Sequence, residues 1–353
     1  CRLAYSFIYI KQGVLGCLLV LVLCALVVSL LVNLMQFSSA MSGSGSLGAM
    51  GAPPRKKPRL AEIQQEAGAH DRKIVQIDLE GLISSFDSGG LFSMAISSVE
   101  SIKSQLDQAA EDSKVKAVVL RINSPGGEVT ASDTLYSAVK EVSAKKPVVV
   151  FMDSMATSGG YYIACGASKV VAAETSLTGS IGVIIDTLNY SGLFEKVGLQ
   201  ANTFVSGAFK DSLNGARPMR EDEREYVQNL VSQMYERFLG VVSESRGLPK
   251  EQLRSGVADG RMLTGREALE AKLVDRLGYL EDAWALAREL GGAENAAVVK
   301  YRRETGFFDL FSASAAGTGQ SKAPVQVRLT PEILSGLRPG LPYYLAPLMV
   351  PAR

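Results

Sequence analysis

The sequence predicts an α/β protein, a largely parallel sheet with crossover helices, preceded by one N-terminal transmembrane helix. Three observations carry this. Val118–Ile122 and Val148–Met152 are short, near-continuous apolar runs rich in valine, as strands buried on both faces require. Segments with apolar residues at helical spacing alternate with them. Val14–Val32 is a run of nineteen residues without a charge.

At about 1.5 Å per residue that run makes a helix of roughly 28 Å, close to the hydrocarbon thickness of a bilayer. The alternative is a cleaved signal peptide ending at Ser38-Ser39-Ala40. The apolar core of such a peptide is usually about 7–15 residues, so an uncleaved anchor in contact with membrane lipid is the expectation. Arg2 and Lys11 precede the run, whereas Arg55, Lys56, Lys57 and Arg59 begin 23 residues past it. Charges within about 15–20 residues of a span weigh most in its orientation. The near charges place the N-terminus in the cytoplasm and the remaining chain on the non-cytoplasmic side of the cell membrane. The Arg55–Arg59 cluster reads as part of a solvated linker rather than a nuclear or lipid-binding signal.

Four regions follow: a stub and anchor over 1–36, a linker over 37–72, a folded domain over 73–300 and a tail over 301–353. Ser38–Pro54 is rich in Gly, Ser and Ala, as flexible linkers are. Ile74–Leu79 alternates like a strand, and Ile96, Val99, Ile102, Leu106 and Ala109 share a helical face. Val118–Ile122 ends in Pro125-Gly126-Gly127, and a helix bearing Leu135, Val139 and Val142 follows. After Val148–Met152 come a small-residue helix over Ser158–Ala167 and short strands at Val170–Ala172 and Val183–Ile185. Val227, Val231, Met234, Phe238 and Val241 mark a long amphipathic helix, and Thr264-Gly265-Arg266-Glu267 fits a capping box. The apolar tail, around Leu341–Val350, is read as a docking segment for a neighbouring subunit or a substrate groove.

Composition removes several kinds of chemistry. The formal net charge is +1, which gives no electrostatic case for nucleic acid. Cys1, Cys17, Cys24 and Cys165 show neither metal-ligand spacing nor a disulfide framework. The single histidine, His70, precedes the first expected strand of the domain. A Ser–His–Asp triad, a Cys–His pair and a histidine metal site all need imidazole inside a packed domain. A hydrolase of this composition takes Lys, Asp or Glu as its base, with no metal or organic cofactor.

Two glycine turns stand at the C-terminal ends of expected parallel strands, where open α/β sheets place their sites. They are Pro125-Gly126-Gly127 and Ser158-Gly159-Gly160, the second opening a helix. A hydroxyl at a helix start lies beside unpaired backbone N–H groups that can hold an oxyanion. By itself Ser-Gly-Gly is more often a plain turn. Lys210 has apolar neighbours Ala208 and Phe209, and burial would favour its neutral, proton-accepting form. The competing reading is a surface lysine paired with Asp211.

Five segments in order decide between these readings: Asn123–Gly127, Ser154–Tyr162, Leu177–Val183, Ser206–Lys210, and Asp259–Arg261 with Thr264–Arg266. Over residues 73–290 the chain resembles the signal peptide peptidase A family of serine peptidases. The resemblance implies a ClpP/crotonase-like spiral of βαβ units. It implies Ser158 as nucleophile, Lys210 as general base 52 residues later, the amides of Gly127 and Gly159 as oxyanion hole, and Ser180 as a hydroxyl orienting the lysine. It further implies hydrophobic peptide substrates such as signal-peptide remnants, and a homo-oligomeric ring typical of the short form. An acyl-CoA enzyme of crotonase type and an inactive membrane scaffold are the rivals. The Ser158–Lys210 combination and the anchor weigh against the first, and the intact pair against the second.

Overall fold

The computed structural model describes residues 60–85, 96–302 and 342–345, together with residues 26, 27, 29, 30 and 33. The chain divides into two units, residues 1–58 and 59–353. In chain order the second unit holds β1 (Ala61–Glu66), β2 (Ala69–Glu80), β3 (Leu82–Ser84), β4 (Ile96–Ser98), α1 (Val99–Glu111), β5 (Val115–Ser124), β6 (Gly126–Glu128) and α2 (Val129–Ser143). β7 (Val148–Thr157), α3 (Gly159–Ala164), β8 (Lys169–Ala172), β9 (Leu177–Gly179), α4 (Ser191–Lys196), α5 (Glu221–Arg246) and α6 (Lys250–Ser255) come next. β10 (Met262–Thr264), α7 (Gly265–Glu270), β11 (Arg276–Leu277), α8 (Leu280–Leu290), β12 (Ala296–Arg302) and β13 (Tyr343–Leu345) complete it.

The fold is mixed α/β. The main sheet runs β1-β12-β2-β5-β7-β8-β11, parallel from β12 to β11 with β1 antiparallel at one edge. β9 pairs with the far end of β7, and β10 pairs with β9. A second sheet, β13-β6-β3-β4, collects short strands, of which β3 and β6 follow directly on β2 and β5 of the first. At Gly81, φ +73 lets the chain turn out of β2 into β3.

The valine runs are continuous because both faces of the main sheet are covered. Val118, Leu120 and Ile122 of β5, with Val148, Val150 and Met152 of β7, face the larger core under α1, α2, α3 and α5. Ala117, Val119, Val149 and Phe151 face the smaller core under α8. Each such side chain, taken fully out of water, stabilises the fold by about 1.5–3 kcal/mol. The second half of α5 packs on the core through Phe238, Leu239, Val241 and Val242. Its acidic first turn, Glu221-Asp222-Glu223, suits the helix dipole, and Gly247 at φ 65 terminates it.

Several expectations change. The linker expected over 37–72 gives way to strand structure from Ala61, because β1 pairs with β12 and β2 begins at Ala69. Polar Ala61–Glu66 is an exposed edge strand with no apolar alternation to betray it. Ile96–Ser98 forms a strand, so the helix expected from Ile96 starts at Val99. The helix expected over Ser158–Ala167 spans Gly159–Ala164. The strand expected at Val183–Ile185 is a single bridge, Ile184 to Tyr343. The tail docks on its own chain, Tyr343–Leu345 lying antiparallel on β6. Among the described residues no helix is long and apolar enough to cross a membrane. The Val14–Val32 run falls mostly outside the described residues, as do the Arg55–Arg59 cluster and most of the linker.

β13 is fastened by aromatic packing. Tyr344 is fully buried, stacked on Tyr162 at 4.9 Å and 4.7 Å from Phe238 between ring centroids, and its hydroxyl donates to Met234 O at 3.2 Å. Removing so large a buried ring typically costs about 3–5 kcal/mol. Tyr344→Ala should therefore lower the urea midpoint by an amount equivalent to about 3 kcal/mol, and an unchanged midpoint would show that β13 contributes nothing to the folded domain.

Candidate active site

β7 serves two partners in succession. Val149–Met152 pair with β8, and Met155–Thr157 pair with β9. Ser158 stands at the tip of β7, as the N-cap of α3, with φ 53 and ψ −111. Residues with a Cβ avoid that conformation, and holding one there costs of the order of 1–3 kcal/mol. A serine on a sharp strand–turn–helix junction is how several hydrolases present a nucleophile. The strain is held from both sides: Ser158 N donates to Gly179 O at 2.8 Å, and Tyr162 N donates to Ser158 O at 2.8 Å. Ser158 is fully buried, and its Oγ has no hydrogen-bond partner among the described residues.

The two glycine turns meet beside it. Ser124 Oγ donates to Gly81 O at 2.6 Å and accepts from Gly126 N at 3.1 Å, which shapes the turn between β5 and β6. Gly126 has φ +107, and a Cβ there would lie 2.0 Å from Tyr344 O and 2.9 Å from Gly159 N. A Cβ on Gly127 would lie 2.0 Å from Ile83 O, and one on Gly159 would lie 2.5 Å from Ser132 Oγ and 3.2 Å from Gly127 N. At Gly126 and Gly127 backbone packs directly on backbone, so those two positions admit only glycine, and at Gly159 a Cβ would have to displace Ser132 Oγ. The amides of Gly127 and Gly159 thus come together next to Ser158, as an oxyanion hole needs. Loss of one such donor typically costs about 3 kcal/mol of transition-state stabilisation.

Ser180 joins the same cluster, because Thr157 stands opposite Gly179 in the β7–β9 register. It is buried, also strained at φ 50, and its N–H donates to Arg261 O at 2.8 Å. Asp259 grips the Arg261 side chain, Nε to Oδ1 at 2.8 Å, so the Asp259–Arg261 turn supports Ser180 through its backbone. In the neighbouring motif Thr264 caps α7 with Glu267, and a Cβ on Gly265 would meet Ala173 O at 2.0 Å.

Lys210 is placed otherwise than expected. Residues 199–219 contain neither helix nor strand, and Lys210 is exposed in a succession of turns where its N–H donates to Gly207 O at 3.0 Å. The burial expected from Ala208 and Phe209 does not occur among the described residues. No hydrogen bond joins Lys210 to Ser158 Oγ. Asp211 pairs with Arg217, Oδ2 to Nε at 2.7 Å, and not with Lys210. Two arginines hold this segment. Arg217 bridges Asp211 to the buried Glu223, whose carboxyl its guanidinium holds down at about 2. Arg220 Nη2 donates to Ala208 O at 2.8 Å. The segment leading to Lys210 also exposes Leu188, Leu193, Val197, Leu199 and Phe204.

Other candidate nucleophiles and bases fall away. Burial pushes the Cys165 thiol up to about 12, so it is not a thiolate at neutral pH. Position 70 lies near the start of β2, roughly 36 Å of strand from Gly81 at about 3.3 Å per residue. β13 and the Arg217–Glu223 pair went unread in the sequence. Tyr343-Tyr344-Leu345 has strand propensity, and prolines at 342 and 347 bound it, so a signal for β13 was present.

Comparison with known proteins gives matches over the same region. The model for Peptidase family S49 matches residues 140–294, and that for Clp protease matches residues 94–178. The chain is 36% identical over 247 residues to "Putative signal peptide peptidase SppA" of Enterococcus faecium, covering 70% of this chain and 72% of that protein. It is 35% identical over 191 residues to "Serine protease SPPA, chloroplastic" of Arabidopsis thaliana, covering 54% of this chain and 28% of the relative. To "Protease 4" of Salmonella typhi it is 34% identical over 228 residues, covering 64% and 36%.

If the Ser158 conformation is strained, relieving it stabilises the fold. Ser158→Gly should raise stability to chemical denaturation by about 1 kcal/mol, since glycine adopts positive φ without a Cβ clash. A destabilised variant would mean that the turn is relaxed with serine in place.

Proposed function

The chain belongs to peptidase family S49 and is a serine peptidase, and on that premise we propose that it is a membrane-anchored endopeptidase working with a Ser158–Lys210 dyad. Its substrates are extended hydrophobic peptides, such as signal-peptide remnants left at the bilayer. The observation that carries the reading is the strained, buried Ser158 beside the amides of Gly127 and Gly159, at the end of a parallel strand. The edge of β6 supports the peptide substrate. It accepts an extended segment antiparallel, here Tyr343–Leu345, with Tyr344 opposite Gly127. Adding a strand to a sheet edge is a common way of binding an unfolded peptide.

In this mechanism Lys210, as the neutral amine, takes the proton from Ser158 Oγ while Oγ attacks the peptide carbonyl carbon. The N–H groups of Gly127 and Gly159 receive the negative charge that develops on the carbonyl oxygen. The tetrahedral species collapses, the C–N bond breaks, and the departing amine takes the proton from the lysine ammonium. Water then gives a proton to the same lysine and attacks the acyl carbon, the bond from that carbon to Ser158 Oγ breaks, and Oγ takes the proton back from the lysine ammonium as the carboxylate product leaves. Ser180, beside Ser158, fits the role of holding the amine in line. No metal or organic cofactor enters these steps.

Two further features belong to the proposal. The Val14–Val32 run serves as a single anchor, with the peptidase domain on the non-cytoplasmic side. The exposed apolar segment before Lys210 supports assembly into a homo-oligomeric ring. A second copy packed on it would cover Leu193, Val197 and Phe204, and would bring Lys210 out of water.

Wild-type protein in detergent should cleave hydrophobic peptides, and Ser158→Ala and Lys210→Ala should each lose the activity by at least 1,000-fold. A fluorophosphonate should label Ser158, more slowly in Lys210→Ala. Hydrolysis of a CoA thioester without peptide cleavage would contradict the assignment. The rate should climb toward alkaline pH, because only the unprotonated amine accepts the serine proton, and a maximum below neutrality would exclude a lysine base. If dyads form between copies, mixing inactive Ser158→Ala with inactive Lys210→Ala should restore part of the activity. A mixture that stays inactive while mixed oligomers form would confine each dyad to one chain.

A further inference from the structure

We propose that Arg217 and Arg220, tied together by the buried Glu223, are positioning residues that fix the backbone on either side of Lys210 and so set where its amine is presented. The inference rests on Lys210 as the base.

The segment that carries Lys210 has almost no apolar burial of its own. Residues 199–210 are exposed throughout. Turns and polar contacts set its path, and those contacts converge on one short stretch. Arg220 Nη2 donates to Ala208 O at 2.8 Å, on the N-terminal side of Lys210. Arg217 Nη2 donates to Asp211 O at 3.3 Å, and its Nε to Asp211 Oδ2 at 2.7 Å, on the C-terminal side. The Arg220 guanidinium also lies 5.8 Å from the centre of the Phe209 ring, which packs at 5.2 Å against Tyr226 of α5. Both neighbours of Lys210 are therefore pinned to the start of α5, and the lysine side chain extends from a fixed base.

Glu223 is what makes the two arginines one device. Its side chain is 1% exposed. It accepts from Arg217 Nη1 at 2.8 Å and from Arg217 Nη2, from Arg220 N at 3.0 Å, and pairs with Arg220 Nη1 at 3.0 Å. A carboxylate withdrawn from water gains little net stability even when fully paired. What such a pair supplies is geometry, because a planar guanidinium fork bonds in one orientation only. Here that geometry is exerted on residues 208–211, whose one chemically distinctive member is Lys210. A displacement of about 1 Å at a reacting group can cost on the order of 100-fold in rate.

The test is a double-mutant cycle on full-length protein, read by the rate of fluorophosphonate labelling of Ser158 and by peptide hydrolysis. Arg217→Ala should lower kcat by about 100-fold with KM unchanged. It should slow labelling similarly in the wild-type background and not at all in Lys210→Ala, because a residue acting through the lysine has nothing left to act on. Arg217→Lys, which keeps the charge but not the fork, should not rescue. If Arg217→Ala fails to fold, Asp211→Ala removes one anchor while leaving the Arg217–Glu223 pair intact, and should give the same pattern at smaller amplitude. The positioning role is overturned if Arg217→Ala or Asp211→Ala leaves kcat unchanged, or slows Lys210→Ala as much as wild type. Wild-type labelling of Lys210→Ala would instead remove the lysine as base, which is a separate failure.

Discussion

Much of the site depends on one strained residue. Ser158 sits at φ 53 because β7 cannot stop at its tip: its backbone N–H is bonded to Gly179, and its carbonyl already receives the first helical bond from Tyr162. Those two bonds belong to different elements, β9 and α3. The strain is therefore sustained by the sheet and the helix together. At Gly126 and Gly127 the backbone of β13 and β3 leaves no room for a Cβ, and at Gly159 Ser132 Oγ and Gly127 N crowd the same space. That packing keeps the main-chain nitrogens of Gly127 and Gly159 close together beside Ser158.

The segment that carries Lys210 is built by other means. Where Ser158 is held by a buried sheet, Lys210 is held by arginine–carboxylate contacts on an exposed segment. The first kind of construction is rigid and insensitive to solvent. The second leaves side chains in solvent while keeping the local backbone in register. Among the described residues the apolar side chains leading up to the lysine, Leu193, Val197 and Phe204, are exposed.

How much of this could be read beforehand depended on the range of the forces involved. The central strands and the α1, α2 and α5 helices were legible, because burial on two faces or one leaves a period in the apolar residues. The glycine turns and the Thr264 cap were legible because they obey local stereochemistry. β1 was not, since an edge strand with polar residues outward has no apolar signature. Lys210 was expected to be buried because Ala208 and Phe209 flank it. Flanking residues do not report burial, however, when the segment lies on the outside of the domain. Arg217 and Glu223 are six residues apart and carry no motif, so their pairing exists only once the turn between them is formed.

The sequence by itself determined a parallel α/β core with strands buried on both faces, glycine turns at their ends, and a single histidine in the whole chain. Composition and periodicity are properties of the chain alone, and they suffice for that much. Only the tertiary structure decided that Ser158 is strained, that Gly127 and Gly159 face one another, that residues 343–345 return to β6, and that Lys210 stands in solvent. The first three rest on contacts between segments far apart along the chain, and the last on no such contact forming over Lys210 among the described residues.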